Sequence, residues 1–240
     1  MKQRKEICHI CLEPIKRKLY ETSTGERLCV ACMRRNRNCF ACDTMTGKDK
    51  ALRFSDGRYV CPECARKAVY EINAKRFAAI KRRLAWAPKM PVEFKIVSRQ
   101  TLPKRRRRTP LNFGQSKSFY ESHGRQLLIV SHEIEILIGL PVALFEAIVV
   151  HELFHAWLHE NFAVGIMNRD EEEWLCEHMA LLYLRACHAK KPWRKVVQTR
   201  REQYRFKRAG EFNERTQGQV LELLLMDAGK NRKRCCRCPT

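Results

Sequence analysis

The stretch GLPVALFEAIVVHELFHAWLHEN, Gly139 to Asn161, contains three residues whose types and spacing suit metal chemistry. His151 and His155 are four apart, a separation that on a helix stacks both imidazoles on one face, one turn apart, where they can reach a single ion. Glu152 then projects beside that ion, able to take a proton from a water the ion activates. A catalytic zinc needs a third protein ligand and an open fourth position, so one more donor must arrive from elsewhere in the chain. The surroundings favour a metal over an accident of spelling. Two histidines and a glutamate among Ile148, Val149, Leu153, Phe154 and Trp157 would bury polar groups to no purpose unless a cation compensates them.

Eight of the 13 cysteines form four C-x-x-C pairs within the first 64 residues: Cys8 and Cys11, Cys29 and Cys32, Cys39 and Cys42, Cys61 and Cys64. MKQRKEICHI does not read as a secretory leader, so reduced thiols and zinc are expected rather than disulfides. Two C-x-x-C turns supply four thiolates to one tetrahedral ion, and eight therefore imply two structural zinc ions. Spacing alone leaves the sharing open: sequential, with pairs one and two on one ion, or crossed, with pairs one and three. Sites closed by four thiolates leave no position for substrate, so their expected role is to hold a partner or brace the neighbouring domain.

Around these residues the elements of an α+β chain can be read. From Val142 the chain runs about twenty residues without a breaker, after punctuation at Gly139 and Pro141, which predicts a buried helix carrying the H-E-x-x-H. NRDEEEWLCEHMALLYLRA reads as a second amphipathic helix with an acidic first turn. VEFKIVS alternates as a strand, and QLLIVS followed by IEILIG predicts at least one more, whereas residues 99–123 are polar, basic and broken by proline and glycine. ARKAVYEINAKRFAAIKRRLAW, with Val69, Ile72, Ile80 and Leu84 near helical spacing, predicts a helix that leaves the cysteine region and stops at Pro88. The domains so defined are a zinc-binding module at 1–66, a helical linker at 67–90, a main domain at 91–228 and a basic tail at 229–240 that contains Cys235, Cys236 and Cys238.

Charge bounds the partners. With 48 Lys and Arg against 26 Asp and Glu, the formal net charge is +22, which favours encounter with nucleic acid or an acidic protein. The excess is scattered over clusters at Lys16 to Lys18, Arg34 to Arg37, Lys81 to Arg83, Lys104 to Arg108, Arg200 to Arg208 and Lys230 to Arg234, which argues against one shaped groove. KRRRR at Lys104 to Arg108 reads as an exposed loop and, in a nucleated host, a nuclear-import patch. No run of eighteen apolar residues occurs, so no membrane association is expected and the cytoplasm is the expected location.

Resemblances extend this reading. Glu173 follows His155 at a separation that resembles thermolysin-like zincins, in which a second helix donates Glu; the likeness implies Glu173 as third zinc ligand and Glu177, one turn on, as the residue that fixes a ligand histidine, with Glu172 the rival ligand. CFACDTMTGKDKALRFSDGRYVCPECARKA resembles the second finger of a LIM domain and CHICLEPI the start of the first, although Cys29 stands where His is usual. IEILIGLPVALFEAIVVHELFHAWLH followed by EEEWLCEHMA is similar to the peptidase domain of the plant DA-one family and its bacterial relatives, ubiquitin-activated metallopeptidases that limit organ growth. Gly139, Leu140 and Pro141, His151 to Leu158, and Glu172, Glu173 and Cys176 fall on matching positions, while Trp174 replaces a glycine. The resemblance implies a zincin-like metallopeptidase domain behind a LIM-like double zinc finger: a zinc-dependent endopeptidase with protein substrates, one catalytic and two structural zinc ions, and a module for partner or substrate binding. The acidic ubiquitin-interacting helix that plant members carry is not recognised in this sequence, so the reading leaves ubiquitin dependence open and, for a bacterial source, does not expect it. The competing readings are a nucleic-acid-associated zinc protein and a non-catalytic adaptor. Tyr183, His178 and the arginines are candidates to steady an oxyanion, and Gln126 to Ile138 is the candidate edge for substrate. His159 reads as a surface histidine and Cys176 as a small packing residue.

Overall fold

The computed structural model describes residues 6–99 and 112–188, apart from residues 17, 23–24, 72, 85, 125 and 163–166. The run Lys104 to Arg108, the clusters at Arg200 to Arg208 and Lys230 to Arg234, and Cys235, Cys236 and Cys238 lie outside the described residues.

Two cysteine knuckles come first. Strands β1 (Tyr20–Glu21) and β2 (Arg27–Leu28) pair antiparallel and lead into helix α1 (Val30–Arg35). In the second knuckle, β3 (Asn36–Asn38) pairs with β4 (Met45–Gly47) and β5 (Leu52–Arg53) with β6 (Tyr59–Val60), before helix α2 (Pro62–Arg66). Each helix starts on a cysteine: Cys29 caps α1, its sulfur accepting from the Cys32 N–H at 3.5 Å, and Cys61 holds the same place before α2. Strands of two or three residues do not stand alone, so the four-sulfur clusters described below must supply what the hairpins lack.

The helix expected to leave the second knuckle is shorter than its periodicity predicts. Ala68–Val69 (β7) is extended and pairs with Leu140–Pro141, and helix α3 covers Ala74–Arg83, capped by the Asn73 side chain, which accepts from the Arg76 N–H at 3.1 Å. Val69 is taken from the helical register by long-range pairing, a tertiary demand that local spacing does not report.

The main sheet has the order β8 (Val92–Val97), β10 (Gln126–Leu137), β9 (Gly114–His123), with β10 parallel to β8 and antiparallel to β9. QLLIVS and IEIL belong to one strand of 12 residues with a register shift between Ile129 and Ser131. Part of the stretch expected to be irregular forms β9. Its distal half, Phe119 to His123, is exposed, so GQSKSFYESH shows no apolar alternation to announce a strand.

β11 (Leu140–Pro141) leads directly into α4 (Val142–Asn161), and α5 (Arg169–Cys187) packs against it. Fourteen of the 20 residues of α4 are buried, which makes it a core helix despite being long and apolar enough to cross a membrane. α5 starts on a capping box in which Asn168 accepts from the Glu171 N–H at 3.0 Å and the Glu171 carboxylate accepts from the Asn168 N–H at 2.9 Å.

One core unites α4, α5, the sheet and the second knuckle. Cys39, Cys42, Cys61, Cys64, Val60 and Val69 belong to the same buried cluster as Ile134, Leu144, Ile148, Phe154 and Leu181, whereas Cys8, Leu28 and Cys32 form a small cluster of their own. Arg58 fastens this junction. Buried between the Phe40 and Phe54 rings, 4.4 and 4.6 Å from their centroids, it pairs with Asp56 at 2.7 Å and donates to the Ile138 carbonyl at 3.1 Å. The Gly139 N–H donates to Val69 O and the Val142 N–H to Lys67 O, each at 2.9 Å, so the turn that opens α4 hangs on the end of the knuckle.

Gly139 has φ +81°, a conformation side chains rarely adopt, and a Cβ there would run into the Phe54 ring. Gly139→Ala should therefore destabilise the chain by about 2–4 kcal/mol in urea unfolding. A loss below about 0.5 kcal/mol, the scatter of an ordinary surface change, would show that the turn is not constrained as described.

Candidate metal centres

The two cysteine clusters are sequential. The sulfurs of Cys8, Cys11, Cys29 and Cys32 lie within 4.8 Å of one another, and so do those of Cys39, Cys42, Cys61 and Cys64. Cys11 and Cys29 are 3.9 Å apart and Cys42 and Cys61 3.8 Å. Four Zn–S bonds of about 2.3 Å at tetrahedral angles would set sulfurs roughly 3.8 Å apart, so the spacing suits that ion without rearrangement.

Proton affinities point the same way. Hydrogen bonds from Cys42 and Cys64 hold the Cys39 thiol down at about 4, and those same contacts to Cys39 and Cys42 push Cys64 far above the ordinary thiol range. In the first cluster burial opposes ionisation of Cys8, but the backbone N–H groups of Cys11 and Cys29 outweigh it and bring the thiol to about 6; burial and its sulfur neighbours push Cys32 up to about 12. One thiolate is favoured in each cluster and the last is strongly opposed. A cation is what allows all four to ionise together.

The histidine site is assembled by α4, α5 and β9. His151 Nε2 and His155 Nε2 stand 3.2 Å apart, close to the roughly 3.3 Å that two imidazoles on one tetrahedral zinc would show. On its other side His155 donates from Nδ1 to Glu172 Oε1 at 2.6 Å, a bond that fixes the ring with Nε2 towards His151. Burial would lower the basicity of His155, but the neighbouring Cys176, Glu172 and Glu152 raise it well above the ordinary value. Glu173 Oε2 lies 3.6 Å from His151 Nε2, while Glu177 Oε1 lies 3.7 Å from His151 Nδ1, a buried nitrogen without a hydrogen bond.

The two rival acids thus occupy different sides of the pair. Glu172 meets the outer nitrogen of His155, and Glu173 approaches the inner nitrogen of His151. Glu152, Glu173, His151 and His155 border one cavity of about 500 Å³, so the sequence-derived set converges on a shared space, with Glu177 fully buried beyond His151.

Several residues were not legible. Cys176, expected to be a packing residue, is fully buried but its sulfur lies within 4.8 Å of donor nitrogens of both His151 and His155; burial pushes the thiol up to about 12. His159, expected at the surface, is partly buried and bonds Glu172 Oε1 at 3.0 Å and Ser118 Oγ at 2.8 Å. Gly114, at the start of β9, forms part of the cavity wall so closely that a Cβ would meet Glu152 Oε1 at 2.7 Å and Ile148 Cγ2 at 2.8 Å. A glycine opening a polar run was the one trace of that approach in the sequence. The candidate substrate edge also moves: β10 is central and paired on both sides, and β9 is the edge that lines the cavity. Tyr183 gives its O–H to Glu146 Oε2 at 2.8 Å, and His178 stacks on Trp174; neither borders the cavity, whereas Arg169 does.

Fold and site define a mixed α+β protein with two four-cysteine clusters and a His/Cys group on facing helices that could hold metal ions, with zinc the ion their donor chemistry suits. The chain belongs to the DA1-like family, whose model, described as Protein DA1, matches residues 96–223. No curated protein and no solved structure matches it.

The unequal embedding of the clusters has a measurable result. Cys61→Ser should lose one equivalent of bound metal and lower the main thermal transition, because that cluster is part of the large core. Cys11→Ser should also lose one equivalent but shift the main transition by less than about 1 kcal/mol equivalent. Equal effects of the two on the main transition would contradict the division of cores.

Proposed function

We propose that the chain is a zinc-dependent endopeptidase of the zincin type that acts on proteins. The observation that carries this reading is the 3.2 Å approach of His151 Nε2 and His155 Nε2 at a cavity that Glu152 and Glu173 also border. In this reading His151, His155 and Glu173 hold one zinc ion, and each four-cysteine cluster holds another. Glu173 is preferred to Cys176 as third ligand because it borders the cavity and Cys176 does not. Glu172 fixes the His155 tautomer, and Glu177 is placed to do the same for His151.

A zinc ion held there would polarise a scissile carbonyl and make a water easier to deprotonate. The chain's own residues do the rest. Glu152 takes the proton from the attacking water and returns it to the leaving amine, and its burial against Gly114 holds it on the cavity wall. β9 presents an edge along which an extended substrate can add as a further strand, with Gln115 and Ser116 at the cavity. Arg169 is the described arginine best placed to meet developing negative charge. The N-terminal module, LIM-like in its sequential pairing, serves partner or substrate binding, and cysteines kept reduced for zinc suit the cytoplasm.

Glu152→Gln should keep its zinc and lose roughly 100- to 10,000-fold in cleavage rate, the range of general-base catalysis. The comparison is a proteome-wide cleavage screen of the native protein against this variant, with metal content measured on both. Fragments produced equally by the two proteins would rule out the assignment.

A further inference from the structure

Basic residues that the sequence scatters are gathered by the fold of the second knuckle. Arg34 and Arg35 end α1, Arg37 lies in β3, Lys48 and Lys50 follow β4, and Arg53 ends β5. Main-chain pairing makes these pieces neighbours. Arg37 stands opposite Thr46, the Lys48 N–H donates to Arg35 O at 3.4 Å, and the Lys50 N–H donates to Gly47 O at 3.1 Å. Residues 34–53 thus carry six Lys and Arg against two acids, Asp43 and Asp49.

Tyr59 joins the two ends of this strip. It stands opposite Arg53 in the β5–β6 pair, and its carbonyl accepts the N–H of Phe40, just past β3, at 2.8 Å. The guanidinium carbons of Arg37 and Arg53 each lie 5.9 Å from the centre of its partly exposed ring. Arg37 is pinned further, since its Nη1 donates to the carbonyl of Asn36 at 2.8 Å and to that of Arg34 at 3.4 Å. Among the described residues no carboxylate forms an ion pair with either guanidinium. Two cations therefore converge on one aromatic ring, one from each neighbouring strand, and an anion laid there meets both.

We propose that this face of the second knuckle binds single-stranded nucleic acid without regard to sequence. Phosphates meet the exposed Arg34, Arg35 and Lys48, and bases lie against the planes of Arg37, Tyr59 and Arg53. The planes are what select this partner. An acidic peptide uses only the charge of the strip, whereas an unpaired base also uses its flat π surfaces, and the arginine fork suits phosphate oxygens. A strip built on strands and open to solvent suits a linear polyanion, and the net charge of +22 steers one towards it. The site is independent of the peptidase reading, because none of its residues borders the histidine cavity.

The test is fluorescence anisotropy of a labelled oligothymidine with the full-length, zinc-loaded protein over a range of salt concentrations. A highly basic chain attracts such a probe weakly wherever its charge lies, so the result that counts is dependence on position. Each phosphate contact on a single strand contributes about 0.7 to the slope of log K against log salt. Arg37→Gln with Arg53→Gln should therefore reduce the slope by about 1.4. Lys75→Gln with Arg82→Gln, which removes two exposed cations from α3, should leave it unchanged. Tyr59→Leu should weaken binding by roughly 5- to 100-fold, the range of one stacked base, with little change of slope. Metal content and the thermal transition of each variant confirm that the knuckle is folded. No binding by the native chain at low salt, or equal loss of slope in the two double variants, would overturn the site. So would polyglutamate that displaces the probe charge for charge together with an unchanged affinity in Tyr59→Leu, which would assign the strip to an acidic protein.

Discussion

Two imidazole nitrogens that face each other at 3.2 Å on the same side of a buried helix are the constraint around which this structure is organised. Two lone pairs at that distance repel, and either a proton or a cation between them removes the conflict. Glu172 on the outer nitrogen of His155 and Glu173 on the inner side of His151 place negative charge around the pair, which a cation there would balance. A helix that is apolar nearly all round supplies rigidity: Ile148, Leu153, Phe154 and Trp157 fix its rotation and so fix which way the histidines look.

The second cysteine knuckle is part of that rigidity. Its four sulfurs lie in the same core as α4, and Arg58, Gly139, Val69 and Lys67 tie its end to the turn where the helix begins. The four-cysteine group of this knuckle and the histidine group are thus joined through packed structure rather than through a tether. The first knuckle, with its own small cluster around Cys8, Leu28 and Cys32, stands apart from this coupling.

What could be read from the sequence follows the range of the interactions. His151, Glu152 and His155 were legible because their relation is local, one helical turn, and the capped acidic start of α5 was legible for the same reason. Spacing alone did not separate the adjacent Glu172 and Glu173, since neighbours on a helix point about 100° apart and the packing of α5 on α4 sets which histidine nitrogen each reaches; the choice of Glu173 came from the resemblance to zincins. The cysteine pairs announced four-sulfur groups able to hold a metal ion, but their sharing depends on how the hairpins fold back. β9 stayed hidden because its exposed half carries no alternation, and Val69 read as helical until its pairing with Leu140 made it a strand. His159 and Ser118 are ordinary residues in isolation, and their contacts arise only where β9, β10, α4 and α5 meet.

The central claim is that the histidine site holds an ion of its own, beyond the two in the cysteine clusters. Counting zinc by mass spectrometry of the intact, non-denatured chain tests it most directly, with the His151→Ala, His155→Ala double variant beside the native protein. Three ions per native chain and two in the variant are expected from the three donor groups. The same number of ions in both proteins would contradict the account.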